Sequence, residues 1–311
     1  MQITPLKLLG KPTAAVQLAP CSPAQHGFHA ESTNNTTLRL FFAGFGQDPQ
    51  LFSQCLTAYR AVPSELAPLD AKGSSASDAE PQSHIAVYML SHYGDWVLHS
   101  DQGVAQLQAE LSASKAISPQ CDPAWRELQE LVRSCARVEI VAWSFGVRAA
   151  LAYMGVLSPE ILAGKTIKAI AVCGTVEAVD DAYGIPAATY SHMCRALLHP
   201  RLGPKTMHGF AQQVTTKADL LSCFQNYYRN ADLQQLGTEL LVLPHLQLPD
   251  GDTWRFTHMY LSKYDAIFAL NNAQASWLRY GLSVEQCTLL EDEHLPMQTL
   301  QHLLCAQRWH V

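Results

Sequence analysis

The pentapeptide Ala142-Trp143-Ser144-Phe145-Gly146 sets a serine hydroxyl between a short β-branched run, VEIVAW, and a helix-forming run, FGVRAALAYMG. A serine at such a junction, with a small residue two before it and glycine two after it, has the form of a nucleophile elbow. The sharp turn lifts Oγ above the end of the strand, and small neighbours are needed where the two backbones crowd. Ala142 stands where the first glycine of that motif usually stands. The chemistry this permits is attack on an acyl carbon, provided a base takes the hydroxyl proton. The plain alternative is a serine that caps the following helix.

Two downstream positions supply the rest of such an apparatus. Asp265, in SKYDAIF, follows the run FTHMYLS, where a carboxylate just past a late strand can accept a hydrogen bond from a histidine and hold its tautomer. His294, in LLEDEHLPMQ, comes after the last expected strand and shortly before a terminal helix, and is the best placed of the 13 histidines to act as base. The chain order Ser, Asp, His is the one used by α/β hydrolases. Alternatives remain at each position. Asp265 suits a helix cap, Asp180 and Asp181 in EAVDDAYGIP compete for the orienting role, and Glu291, Asp292 and Glu293 either raise the pKa of His294 or only form an acidic surface loop.

An oxyanion needs two donors, and the expected ones are the backbone N–H groups of Phe145 and of Phe45 in the loop AGFG, where Gly44 and Gly46 permit close approach. Trp143 and Tyr183, residue types more often found in cores, are expected beside the elbow as the lining of an acyl channel. The glycine loop is not a phosphate cradle, because neither a P-loop lysine nor GxGxxG follows the strand. There is no HExxH and no paired Cys-His spacing, and His192, His199 and His208 are scattered, so neither a metal nor a cofactor is expected.

The elements that must hold these groups alternate. Apolar runs at Leu38 to Ala43, Ile85 to Leu90, Val138 to Trp143, Ile167 to Cys173, Phe256 to Ser262 and Gln286 to Leu290 read as strands, and helical stretches such as WRELQELVRSCA lie between them. That rhythm implies a mostly parallel central sheet with helices on both faces, the α/β-hydrolase fold. Between 187 and 250 the rhythm gives way to helical sequence broken by Pro and Gly, as expected of a helical cap insertion. The expected organisation is an irregular N-terminal arm at 1–37 with at most a short strand or hairpin, a core at 38–186 and 251–311, and a cap at 187–250. A polar excursion covers 63–83.

A chain of 311 residues, 48% hydrophobic, can bury a large single core. With 15% charged residues and a net charge of −6, no global positive field draws it to nucleic acid. Nine cysteines without a CxxC pair suggest reduced thiols. No apolar run is long enough to span a bilayer and the first residues lack a signal-like core, so the expected location is cytoplasmic, without membrane attachment.

Together FFAGFGQ, VAWSFGV, AVCGTVEAVDDAYGIPAATY, SKYDAIF and EDEHLP resemble the BioG-type pimeloyl-[acyl-carrier-protein] methyl ester esterases over roughly 38 to 305. The resemblance implies a serine esterase that removes the methyl group from pimeloyl-carrier-protein methyl ester in the making of biotin's pimelate moiety. It also implies Ser144 as nucleophile, Asp265 as orienting acid, His294 as base, and Phe45 and Phe145 as amide donors. The segment 187–230 carries Arg195, Arg201, Lys205, Lys217 and Arg229 against the single acid Asp219. Such a basic cap on an acidic protein suits docking of an acidic acyl-carrier protein, although a solvated helical face has the same composition. A thioesterase or acyltransferase on the same triad, or a catalytically silent binding protein of this fold, are the alternative readings.

Overall fold

The computed structural model describes residues 1–6, 36–61, 85–93, 116–249, 254–306 and 309. The excursion at 63–83 and most of the arm lie outside these residues. Among the described residues seven strands form one sheet: β1 (Gln2–Pro5), β2 (Thr37–Phe42), β3 (Ile85–Ser91), β4 (Arg137–Trp143), β5 (Thr166–Val172), β6 (His258–Ser262) and β7 (Cys287–Leu290). Their order is β1-β3-β2-β4-β5-β6-β7. All neighbours are parallel except β1, which pairs antiparallel with β3. The arm therefore begins with an edge strand.

β2 is buried along all six residues, as a strand covered on both faces must be. Its one charged residue, Arg39, faces Glu139 across the β2–β4 register and binds its carboxylate, while its Nη1 donates to the carbonyls of Leu304 and Ala306. A buried ion pair thus ties the sheet centre to the last helix.

Described helices connect the strands: α1 (Pro49–Ala61), α2 (Trp125–Arg133), α3 (Gly146–Gly155), α4 (Pro159–Leu162), then α5 (Ala187–Leu198), α6 (Gly203–Val214), α7 (Ala218–Arg229) and α8 (Leu233–Val242), and finally α9 (Leu270–Tyr280) and α10 (Met297–Cys305). The step from β2 to β3 runs one way across the sheet and that from β4 to β5 the other. Right-handed crossovers therefore place α1 and α3 on opposite faces. This is the mostly parallel, helix-flanked sheet expected from the alternation of runs.

Helices α5 to α8 all fall between β5 and β6. They reach the loops at the carboxyl ends of the strands: Phe210 of α6 packs edge-on against Phe45 at 5.3 Å, Val214 O accepts from Leu295 N at 3.1 Å, and Glu239 of α8 binds Gly46 N at 3.1 Å. Among the described residues no helix is long and apolar enough to cross a membrane, and the eight described cysteines are free thiols.

Candidate active site

Ser144 occupies the turn between β4 and α3 with φ of 58°, in the left-handed region that serine rarely adopts. Its N–H is held by Val172 O at 2.9 Å and its carbonyl by Val147 N at 3.1 Å, so sheet and helix together maintain the strained turn. The small residues of the elbow have specific reasons. A Cβ on Gly146 would lie 2.1 Å from Phe42 O, and one on Gly174 would lie 2.3 Å from Ser144 O. Gly44 brings the β2 loop so close that its added Cβ would meet Ser144 Cβ at 2.9 Å.

His294 Nε2 lies 2.9 Å from Ser144 Oγ and its Nδ1 lies 2.8 Å from Asp265 Oδ2. A carboxylate only accepts, so Nδ1 carries the donated proton and the Nε2 lone pair faces the serine hydroxyl. Ser144 is 3% exposed and His294 1%. The imidazole lies 5.5 Å from the Trp143 ring and 5.9 Å from Phe268, and Trp143 Nε1 donates to His294 O at 2.9 Å.

Asp265 does two jobs with two oxygens. Oδ1 accepts the N–H groups of Ile267 and Phe268 at 2.8 and 2.9 Å, a local cap, and Oδ2 is left for the histidine. Its rivals are engaged elsewhere. Asp180 Oδ1 accepts from Ala182 N and Tyr183 N, and Asp181 Oδ1 accepts from Ala187 N.

In the β2 loop the N–H groups of Ala43, Gly46 and Gln47 go to Leu90 O, Glu239 Oε2 and Gly44 O. Among the described residues nothing accepts from the N–H of Phe45 or of Phe145, although both residues are buried. Buried amides without an acceptor are uncommon. Beside the elbow they suit a substrate oxygen carrying developing charge. Of the expected channel aromatics, Trp143 packs on His294, whereas the contact of Tyr183 is with the Arg279 guanidinium, 4.8 Å from its ring.

The acidic loop before His294 is turned away from the imidazole. Glu291 pairs with Lys263 and accepts from Tyr264 Oη, and Asp292 pairs with Lys217 at 2.7 Å. Glu293 accepts from Thr215 Oγ1 and from the N–H and hydroxyl of Thr216. The turn between α6 and α7 therefore latches the loop that carries His294. Burial works to raise the Glu293 pKa, but the Thr216 and Thr215 hydrogen bonds and the Lys217 charge outweigh it, and the net shift is downward from 4.5. A depressed carboxylate adds stability above its unfolded value and loses it as pH falls through the folded one. The stability gap between wild type and Glu293→Gln should hold constant from neutral pH to about 4.5 and close only below it, by thermal melts. A gap closing well above that pH would place the latch elsewhere.

Cys173, at the end of β5, has φ of 45° and lies 3.0 Å from Ser262 Oγ. Burial, aided by the charge of Asp265, pushes its thiol well above the ordinary range, so it is no rival nucleophile. The residues that sequence reasoning passed over are Thr215, Thr216 and Glu239. Only Glu239 left a signal, as the single charge in the apolar stretch LGTELLVL.

A mostly parallel sheet carrying a strained serine turn on β4, with histidine and aspartate on the loops after β7 and β6, defines an α/β hydrolase. The model of the family described as Pimeloyl-ACP methyl esterase BioG matches residues 126–304, more than half of the 311. The chain belongs to that BioG family, an esterase family of this fold. Among solved structures it is similar to an esterase from Exiguobacterium antarcticum (TM-score 0.51, 12% identity, 87% of this chain and 90% of that one). It is also similar to the enol-lactonase from Burkholderia xenovorans LB400 (TM-score 0.52, 10% identity, 88% and 89%). These two likenesses show the fold. The BioG structure from Haemophilus influenzae also aligns (TM-score 0.48, 19% identity, 86% and 92%). No curated protein gives a significant match.

Proposed function

We propose that this protein hydrolyses the methyl ester of pimeloyl-[acyl-carrier protein] through a Ser144 acyl-enzyme. The reading rests above all on the unbroken hydrogen-bonded line from Ser144 Oγ through His294 to Asp265 Oδ2. Ser144 Oγ attacks the ester carbonyl carbon as its proton passes to His294 Nε2, and Asp265 stabilises the imidazolium. The carbonyl oxygen, now negative, takes the N–H groups of Phe45 and Phe145. Collapse breaks the carbon–methoxy bond, and the leaving oxygen recovers the proton from Nε2 as methanol. Water then adds to the acyl carbon, giving its proton to His294, and the second collapse frees the carboxylic acid and restores the serine. No cofactor enters these steps.

Family membership supports the choice of ester, and the helices over the strand ends support a carrier. Arg195, Arg201, Lys205 and Arg229 are exposed and carry no ion pair among the described residues, while Lys217 is engaged by Asp292. Unpaired cations on one layer raise the encounter rate of an acidic partner and leave the bond-making atoms untouched. Charge reversal at Arg195 and Arg201 should lower kcat/KM for the carrier-bound ester about 10-fold at low salt, with the loss shrinking as salt rises, and leave free methyl pimelate unchanged. Equal loss on both substrates would remove these residues from docking.

The deciding assay incubates purified protein with pimeloyl-carrier-protein methyl ester and with shorter and free analogues, and follows methanol and the free carboxylate. Methanol released fastest from the carrier-bound pimeloyl ester is the expected result. Release of the carrier's thiol instead would make the protein a thioesterase, and transfer to an added alcohol or amine would make it an acyltransferase.

A further inference from the structure

Glu239 lies on α8, 1% exposed, and its carboxylate points out of the inserted helices into the strand-end loops. Oε2 accepts from Gly46 N at 3.1 Å and Oε1 from Tyr93 N at 3.4 Å. One turn earlier on the same helix, Gln235 Nε2 lies 3.3 Å from His92 Nδ1, and His92 has φ of 55°. Helix α8 therefore grips both the loop after β2 and the loop after β3. The β2 loop is held at its other side by Ala43 N to Leu90 O and by its own turn bond, Gln47 N to Gly44 O. Phe45 is thus suspended between Gly44, where the space left by a missing Cβ is taken up by Ser144, and Gly46, which is bound to Glu239.

A backbone N–H lies in its own peptide plane, so Phe45 N–H points where the Gly44–Phe45 plane is tilted, and that tilt is fixed when the chain is anchored on both sides, at Gly44 and at the Gly46 N–H. An oxyanion donor contributes only when it already points at the site where charge develops, since reorientation during reaction cancels the gain. Gly46 has φ of 66°, a region open to a glycine that would otherwise leave this loop the freest part of the site. We infer that Glu239 is a positioning residue for the reaction. From the inserted helices, it fixes the turn Gly44-Phe45-Gly46 so that Phe45 N–H is preset toward the carbonyl oxygen of the ester. The inserted helices are then part of the oxyanion apparatus as well as a cover. The inference rests on the Ser144 mechanism proposed above.

The test compares wild type, Glu239→Gln and Ser144→Ala on the carrier-bound ester and on a small free ester. Glutamine keeps one acceptor but turns an NH2 donor against Gly46 N–H or Tyr93 N–H, which frees the loop. Expected for Glu239→Gln is a fall in kcat of about 10- to 100-fold on both esters, with KM changed less than about 3-fold. The affinity of a trifluoromethyl ketone, which adds to the serine as a tetrahedral mimic, should weaken in the same proportion, while product-acid affinity stays. A merely structural or docking role moves KM, or one substrate alone, and leaves the ketone-to-product ratio where it was; either result, or a wild-type kcat, overturns the inference. If Glu239→Gln does not fold, Glu239→Met, which removes both acceptors without adding a donor, takes the same readouts. Full activity in Ser144→Ala would instead sink the mechanism beneath it, a separate outcome.

Discussion

Ser144→Ala is expected to lower kcat/KM for ester hydrolysis by about 10⁴- to 10⁶-fold, leaving only what binding and the proposed oxyanion donors, the amides of Phe45 and Phe145, would provide. The protein should remain folded. Alanine tolerates φ of 58° no worse than serine, and the turn is held by backbone bonds to Val172 and Val147 that do not involve the side chain. Initial-rate kinetics beside a thermal melt separate the two quantities. A loss of activity accompanied by unfolding would say nothing for the hydroxyl; a folded protein with near wild-type turnover would remove Ser144 from the chemistry.

Asp265→Asn has the second largest expected effect, and its cause lies in the division of labour between the two oxygens. The amide oxygen of asparagine is needed by Ile267 N and Phe268 N, so its NH2 must face His294 Nδ1. Nδ1 then becomes an acceptor, the ring proton moves to Nε2, and a donor confronts the serine hydroxyl in place of a base. The expected fall in kcat is about 10⁴-fold, with little change in stability. Asp180→Asn and Asp181→Asn should stay near wild-type activity, because those carboxylates cap their own turns. Steady-state rates of the three variants decide which carboxylate orients the histidine. A silent Asp265→Asn with a crippled Asp180→Asn would transfer the role.

How much could be read from residues alone differs by kind of contact. The runs LRLFFA, VEIVAW and IKAIAVC are short and mostly apolar, the last two rich in β-branched side chains, and each forms a strand within a residue or two of its expected bounds. Buried parallel strands must be apolar on both faces, so the signal is continuous and hard to miss. β1 left almost no signal, because a four-residue edge strand, QITP, buries too little to show in composition. The elbow was visible because crowding at the turn restricts residue type on both sides of Ser144, as the backbone contacts of Gly146 make concrete.

Asp265 was ambiguous for a physical reason: an aspartate that caps a turn and one that holds a histidine have the same sequence context, and here one residue makes both contacts. The partners that helices α5 to α8 and their turns reach are not legible, even where a lone charge such as Glu239 stands out. Glu239 meets Gly46 across 193 positions, and Glu293 meets Thr216 across 77. Neither pairing has a local pattern. The three acids before His294 read as candidates to perturb the imidazole, yet each is turned toward a lysine, tyrosine or threonine instead.

Hydrolysis by the proposed route requires that Ser144 Oγ become acylated. Folded protein treated with a fluorophosphonate, digested and analysed by peptide mass should carry one adduct on the peptide containing Ser144, with ester hydrolysis lost in proportion to labelling. Hydrolysis that persists while Ser144 is fully modified, or an active enzyme that the probe leaves unlabelled there, would contradict it.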